Sequence, residues 1–223
     1  LAAGALALAA CGGGEAAPVS SSASPSPSPS STSASPSALP TPSSDGIPPG
    51  ASPFSGLPGG EGKPVLAIKV DNTRAAQPHT GLQAADLVYV TEVEWDLTRF
   101  IAVYNSTIPD VIGPVRSARI SDIDILAPFG KIAFSNSGMQ TKLRSVLASA
   151  NLYNVSAEAI YEAFTNDPGR PSPVDHMADP VALLAAAPDA EVARDIGFTF
   201  SDTPPSGGTP VKSVTMTWPS SQV

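Results

Sequence analysis

The 223-residue chain has a single cysteine, Cys11, and only 14% of its residues are charged. One thiol cannot build a disulfide framework within the chain or a cysteine-based zinc site, so both are excluded. The chain also lacks clusters of Lys and Arg, because 12 basic residues stand against 20 acidic ones and the net charge is −8. Nucleic acids and anionic membrane surfaces are bound through such clusters, so we expect no nucleic-acid partner.

A long apolar run is also missing at the N-terminus, where Leu1–Ala10 is too short to span a bilayer as a helix. Residues 1–10 are typical of the end of a signal peptide, and because the chain starts at Leu we expect its N-terminus to be incomplete. The residues from Leu8 to Cys11 resemble the lipobox of bacterial lipoproteins, whose cysteine is lipidated. Acyl chains such as palmitate on Cys11 would anchor the protein to the outer face of the plasma membrane. The alternative is a buried cysteine in an alanine-rich helix.

Residues 11–62 have too few apolar side chains to form a core, and the 25 prolines are densest before residue 64. The stretch from Ser20 to Ser44 mixes Ser, Pro, Ala and Thr, a composition that cannot offset the entropy of ordering the chain. We predict a disordered tether without stable secondary structure. Fully extended as polyproline II, about forty residues would span on the order of 100 Å and lift the domain into the cell wall. A passive linker is the alternative.

Residues 63–190 are predicted to form an α/β domain, a mixed sheet flanked by helices. The apolar run Pro64–Val70 is typical of a buried strand, and Asp86–Trp95 and Thr98–Asn105 are rich in β-formers. Lys131–Phe134 is a further short strand. The remaining patterns predict a helical turn at 82–85 and helices at 121–126, at 139–150 with Ser137 as cap, at 156–164, and from Asp179-Pro180 onward.

A tight hairpin is predicted between the second and third strands. With Asp96-Leu97 as a two-residue loop, Trp95 would pair with Thr98 and Glu94 with Arg99. Residues 191–223 contain two alternating stretches, 196–200 and 214–218, around a Pro/Gly-rich loop. We interpret them as the start of a second, β-rich domain that is cut short.

The stretch Ile112–Arg119 carries two arginines three positions apart, between a Gly-Pro turn and the predicted helix at Ser121. Guanidinium groups bind carboxylate or phosphate through paired donors, so we predict an anion-binding cleft here. The alternative is an internal network of ion pairs with Glu92, Glu94, Asp122 and Asp124. The predicted ligand-binding residues are Arg99, Arg116, Ser117 and Arg119, with Asp71, Asn72, Asp86, Glu92, Glu94 and His176 as supporting polar groups.

No cofactor is predicted from the sequence. The oxygen atoms of Asp71, Asn72, Asp86 and Glu92 would suit Mg²⁺ or Ca²⁺, but no EF-hand or similar loop accompanies them. The Gly-x-Ser-x-Gly turn of serine hydrolases is missing too, so a Ser nucleophile with His176 would require long-range folding to assemble.

Several of these segments together resemble one family, the YerB-like lipoproteins, known as domain of unknown function 3048. The likeness runs in order from Pro64 to Pro180, and its most specific part is the Gly-Pro-Val-Arg-Ser-Ala-Arg run at 113–119. The resemblance implies a signal peptide, a lipidated cysteine and a second small domain, and it implies no known reaction. The other matching segments are Val70–Asn72, Gly81-Leu82, Ala85–Tyr89, Glu92, Glu94 and Thr98–Phe100; His176 corresponds to a histidine that the family places after an arginine-containing loop.

These features predict a membrane-anchored extracytoplasmic lipoprotein whose α/β domain binds an anionic envelope ligand or a cell-wall-related protein. An alternative is a metal-assisted enzyme acting on a phosphorylated envelope precursor, by analogy with phosphotransferases of the LytR-CpsA-Psr type. A third is a purely structural partner module.

Overall fold

The computed structural model describes residues 46–201 and 206–216. The predictions for Cys11, the signal-peptide end and most of the tether lie outside these residues. Within them, a five-stranded mixed sheet has the strand order β2-β3-β1-β4-β5, and a separate two-stranded sheet pairs β6 with β7. The predicted mixed sheet with flanking helices is therefore confirmed. The strands are β1 Leu66–Asp71, β2 Leu87–Val93, β3 Leu97–Tyr104, β4 Ala133–Ser135, β5 Tyr153–Asn154, β6 Phe164–Asn166 and β7 His176–Ala178.

β1 is the central strand, and all six of its residues are buried. It pairs antiparallel with β3 on one side and parallel with β4 on the other. A strand buried on both faces reads as a continuous apolar run, which is why the sequence identified β1 directly. Both of its charged residues, Lys69 and Asp71, are buried.

The hairpin of β2 and β3 has a different register from the predicted one. Arg99 pairs with Thr91, and Val93 pairs with Leu97. The loop consists of Glu94, Trp95 and Asp96, and the last two have positive φ angles of 68° and 55°. The predicted pairing of Glu94 with Arg99 is wrong because these left-handed residues place Glu94 in the loop rather than in the strand.

In the described part of the chain, three α-helices flank the main sheet: α1 Ser121–Leu126, α2 Thr141–Ser149 and α3 Pro180–Ala185. Asp179 caps α3 by accepting hydrogen bonds from two backbone N–H groups, with Pro at the first turn as predicted. Ser137 does not cap α2, since Gln140 occupies the cap position without a side-chain hydrogen bond. The predicted helix at 156–164 is also wrong, because the chain there forms a 3-10 turn at Tyr161–Ala163 and then β6.

Two cores lie on opposite faces of the main sheet. Leu66, Ile68 and Val70 face one core, which includes Leu183 of α3. Val65 and Ala67 face the other core. That second core includes Leu126 of α1, Leu143 and Leu147 of α2, and the aromatic residues Phe54, Phe129 and Phe134. Because Phe54 is only 3% exposed, packing against the core begins before Lys63.

The described residues of the C-terminal part contain no strand at 196–201 or at 206–216. The preceding residues return to the main domain, where Ala193 N–H donates to the carbonyl of Lys63 and Val65 N–H donates to that of Glu191. The domain boundary at residue 191 stays a prediction. Among the residues described, no helix has the length and apolar content needed to cross a bilayer.

Candidate ligand-binding cleft

The segment 112–119, called the strap here, runs between β1 and β7. The backbone N–H of Asp71 donates to the carbonyl of Pro114 at 2.9 Å, and the backbone N–H of Arg116 donates to the carbonyl of Lys69 at 2.8 Å. On the other side, Val115 N–H donates to the carbonyl of His176 at 2.8 Å. A Cβ at Gly113 would lie 2.9 Å from that same carbonyl oxygen, so only glycine fits the approach. The strap therefore presents its arginines at a fixed place beside the end of β1.

The structure brings the three predicted arginines together, but each guanidinium has a partner within the chain. Arg116 Nε forms an ion pair with Asp71 Oδ2 at 2.6 Å, and Arg119 Nη2 forms one with Glu94 Oε2 at 2.6 Å. Arg99, 8% exposed, donates to the backbone carbonyl of Ser117 at 2.7 Å. The ion-pair alternative thus describes Arg119, which pairs with Glu94, whereas Arg116 pairs with Asp71, a carboxylate outside the predicted network.

Electrostatics reflect this crowding of like charges. Burial, followed by the charges of Arg119 and Arg116, lowers the pKa of Arg99 to about 10, so its guanidinium is still cationic at neutral pH. The hydrogen bond from Arg119 lowers the pKa of Glu94, which therefore stays ionised. Around the strap, four cationic groups lie near four carboxylates. The cations are Lys69, Arg99, Arg116 and Arg119, and the carboxylates are Asp71, Glu92, Glu94 and Asp122.

A buried ion pair below the strap was missed by the sequence reasoning. Lys69 Nζ lies 2.6 Å from Asp122 Oδ1, and both side chains are fully buried. Lys69 also donates to Thr91 Oγ1 at 2.8 Å, and Asp122 Oδ2 accepts from the backbone N–H of Arg119 at 2.8 Å. The only available signal was a Lys within the otherwise apolar run of β1.

A cleft of about 590 Å³ opens beside Arg119, between the hairpin loop, the end of the strap and the start of α2. Its described lining contains Glu92, which has a solvent-shielded Oε1 without a hydrogen-bond partner. Lys142 lines the cleft as well, and no described residue pairs with it. The full lining is Glu92, Val93, Glu94, Ala118, Arg119, Ile120, Ser121, Gln140, Lys142 and Leu143.

Other predicted site residues lie outside this cleft. Asn72 donates to Thr98 Oγ1 at 2.7 Å. His176 lines a different cavity of about 450 Å³ together with Ser137, Glu158 and Tyr161. Among the described residues, no three His, Cys, Asp or Glu side chains are grouped to hold a metal.

Asp86 has a structural role at the start of β2. Its Oδ2 accepts from the backbone N–H of Asn105 at 2.7 Å and of Ser106 at 2.8 Å, while Oδ1 accepts from Ser55. Burial would raise the pKa of Asp86, but these hydrogen bonds outweigh it and the pKa lies below its ordinary value of 3.8. Asp86 therefore connects the residues before β1 to the sheet.

We expect Asp86→Asn to lower the free energy of unfolding by about 1–2 kcal/mol at pH 7, because charge-assisted hydrogen bonds are lost. A depressed pKa contributes stability above 3.8, and this contribution is lost as the pH falls through the folded-state value. The difference in the free energy of unfolding between wild type and Asp86→Asn should therefore become smaller as the pH falls. Urea unfolding at pH 7 and at pH 3 measures it, with Asp189→Asn as a control, and a gap that does not change with pH would contradict the assignment.

Comparison with known proteins supports one family. The sequence model described as "Protein of unknown function (DUF3048) N-terminal domain" matches residues 54–193. A Bacillus subtilis (strain 168) protein named "Putative lipoprotein YerB" is 46% identical over 59 residues, which is 26% of this chain and 18% of that protein. The crystal structure of YerB from Bacillus subtilis aligns with a TM-score of 0.57 at 25% identity, over 62% of this chain and 49% of that one. The chain thus spans half or less of the length of these relatives.

Proposed function

The chain belongs to the DUF3048 family, and from this premise we propose that it is a membrane-anchored extracytoplasmic lipoprotein that binds an envelope ligand through an anionic group. The name of the Bacillus subtilis relative supports the lipoprotein part, as does the lipobox-like sequence before Cys11. Lipidation at Cys11 would hold the domain at the outer face of the plasma membrane, with the Ser/Pro-rich stretch extending it toward the cell wall.

The observation that carries the binding proposal is the cleft beside Arg119. Lys142 offers an ammonium group without a partner in the described chain, and Arg119 lies on the same cleft. Arg119 already forms an ion pair with Glu94, whose side chain is 43% exposed. A pair this exposed is weak, so a ligand carboxylate or phosphate can replace Glu94 at modest cost.

This geometry favours a structural role for Arg99 and Arg116 instead of the predicted role in ligand binding. Asp71 is only 1% exposed and occupies Arg116, so separating that pair would leave a buried charge. Arg99 is committed to the carbonyl of Ser117. We therefore assign Arg99, Arg116 and Ser117 to holding the strap in place, and Arg119 with Lys142 to contacting the ligand.

A second candidate function is the metal-assisted enzyme acting on a phosphorylated envelope precursor. Glu92 favours it, because a carboxylate that lines a cleft without an Arg partner is available to a cation. The described residues supply Glu94 as the other cleft carboxylate, and Arg119 already pairs with it. Ligand binding without chemistry therefore accounts for more of the lining.

A thermal-shift titration of the full chain tests the binding proposal with phosphate, pyrophosphate, a polyprenyl phosphate and muropeptides, each with and without Mg²⁺. A ligand of the native state raises the midpoint by mass action. We expect Lys142→Gln to weaken binding about tenfold, since one charge-assisted hydrogen bond contributes roughly 1.5 kcal/mol. The matched control Lys212→Gln removes an exposed lysine elsewhere and should bind as wild type does. Equal affinity in Lys142→Gln, Arg119→Gln and wild type would contradict the site, and a shift seen only with Mg²⁺ would favour the enzyme.

A further inference from the structure

We infer that the ligand of the cleft is zwitterionic, namely a short peptide with a free amino terminus and a free carboxylate. This inference rests on the proposed binding function and adds the chemical class of the ligand. It follows from two charged groups of the cleft that have no partner among the described residues, Glu92 and Lys142.

Glu92 is the first of these charges. It stands on β2 opposite Thr98, whose hydroxyl oxygen accepts a hydrogen bond from Asn72 Nδ2. Its Oε1 is shielded from solvent and accepts no hydrogen bond from any described residue. A shielded acceptor without a donor is costly, and the cost is larger for an ionised group. An ammonium group in the cleft would remove this cost by a charge-assisted hydrogen bond.

The second charge is Lys142 in the first turn of α2. Before a ligand binds, the other charged groups of the cleft, Glu94 and Arg119, pair with each other at 2.6 Å, and Gln140 Nε2 lies 3.4 Å from Glu94 Oε1. What is left is one carboxylate and one ammonium. A ligand that carries the opposite pair of charges matches both, whereas a phosphate alone would leave Glu92 without a donor and add a repelling charge.

The uncharged lining suits a small peptide body. Val93, Ala118, Ile120 and Leu143 provide apolar contacts, and Ile120 is 61% exposed at the rim. A volume of about 590 Å³ lies within the range of roughly 300–1,000 Å³ that small-molecule sites occupy. A neutral sugar would fit the volume, but it carries no charge for Lys142 or Glu92.

Trp95 adds an aromatic surface at the same edge. It follows the cleft residue Glu94 directly, is 88% exposed, and has a φ of 68°. A bulky residue in the left-handed region is strained, and such strain persists mainly where function requires the position. An exposed indole next to a cleft can pack on the ligand with its apolar face.

Four forms of one peptide test this inference by calorimetry on the full chain: trialanine, N-acetyl-trialanine, trialanine amide, and N-acetyl-trialanine amide. They carry both charges, only the carboxylate, only the ammonium, and neither. We expect trialanine to bind about tenfold more tightly than either singly blocked form. In Glu92→Gln the preference for the free amino terminus should disappear while the preference for the free carboxylate stays. In Lys142→Gln the preference for the free carboxylate should disappear while the preference for the free amino terminus stays.

Glu162→Gln is the matched control, since Glu162 is exposed and lies outside the cleft lining. It should bind all four peptides as the wild type does, and the thermal midpoint of each variant shows whether it is folded. Equal affinity for trialanine and its N-acetyl form, in wild type and in Glu92→Gln, would overturn the inference. If phosphate or a muropeptide then still shifts the midpoint through Lys142, the proposed function survives that failure. If neither peptides nor anionic ligands bind, both proposals fail.

Discussion

Replacement of Lys69 by Met is expected to lower the free energy of unfolding by about 3–5 kcal/mol, the usual cost of removing one partner of a buried ion pair. The pair is fully buried, with Lys69 Nζ 2.6 Å from Asp122 Oδ1. Burial lowers the pKa of Lys69, and Asp122 opposes that effect. Without Lys69, Asp122 would be a buried carboxylate whose remaining donor is the backbone N–H of Arg119. Urea unfolding at pH 7 measures the loss.

The double variant Lys69→Met/Asp122→Leu distinguishes the broken pair from lost packing. Apolar groups can replace a buried ion pair at little cost, so the double variant should recover most of the stability. We expect it to stay about 1 kcal/mol below wild type, because Arg119 N–H loses its acceptor. Lys212→Met, at an exposed position, should change stability by less than about 0.5 kcal/mol. A double variant no more stable than Lys69→Met would show that the carboxylate is not what makes the single change costly.

Phe129→Ala is expected to lower the free energy of unfolding by about 3–5 kcal/mol, as truncations of buried aromatic residues do. Phe129 is fully buried and packs edge-on against two other rings, Phe54 at 5.0 Å and Tyr89 at 6.3 Å between centroids. The lost ring leaves a cavity where the chain before β1, the hairpin and the end of α1 meet. Thermal and denaturant unfolding both measure the effect.

A double-mutant cycle with Phe54→Ala tests whether this contact ties residues before Lys63 to the domain. A coupling of about 0.5–1.5 kcal/mol is expected for an aromatic pair at this distance. Phe129→Leu serves as the conservative control and should cost clearly less than Phe129→Ala. Additive effects of Phe54→Ala and Phe129→Ala would mean that the two rings stabilise the fold independently.

The elements that the sequence predicted are those in which the local pattern and the packing agree. β1 is a mostly apolar run because both of its faces are covered, and α3 begins with Asp179 and Pro180 in their favoured positions. The hairpin register could not be predicted from the sequence, because Trp95 adopts a left-handed backbone conformation that a bulky residue rarely takes. The helix predicted at 156–164 failed because tertiary pairing with β7 overrides a weak helical pattern.

The sequence indicated some of the residues near the cleft, but not how those residues pair with one another. The strap motif drew attention to Arg116 and Arg119. Their carboxylate partners, Asp71 and Glu94, stand far from them in the sequence, and the sequence pattern cannot say which acid meets which arginine. Lys142 was not singled out, because one exposed lysine at the start of an amphipathic helix is ordinary until a cavity is seen beside it.

The position of β1 at the middle of the sheet constrains when the domain can form during synthesis. Leu66 pairs with Tyr104 on one side and with Ala133 on the other, so this fully buried strand is synthesised before either of its partners. Until β4 has emerged, one edge of β1 has no partner, and such late, non-local pairing is slow. The main sheet therefore cannot close until the chain has been synthesised through β4 and β5, well after β1 itself.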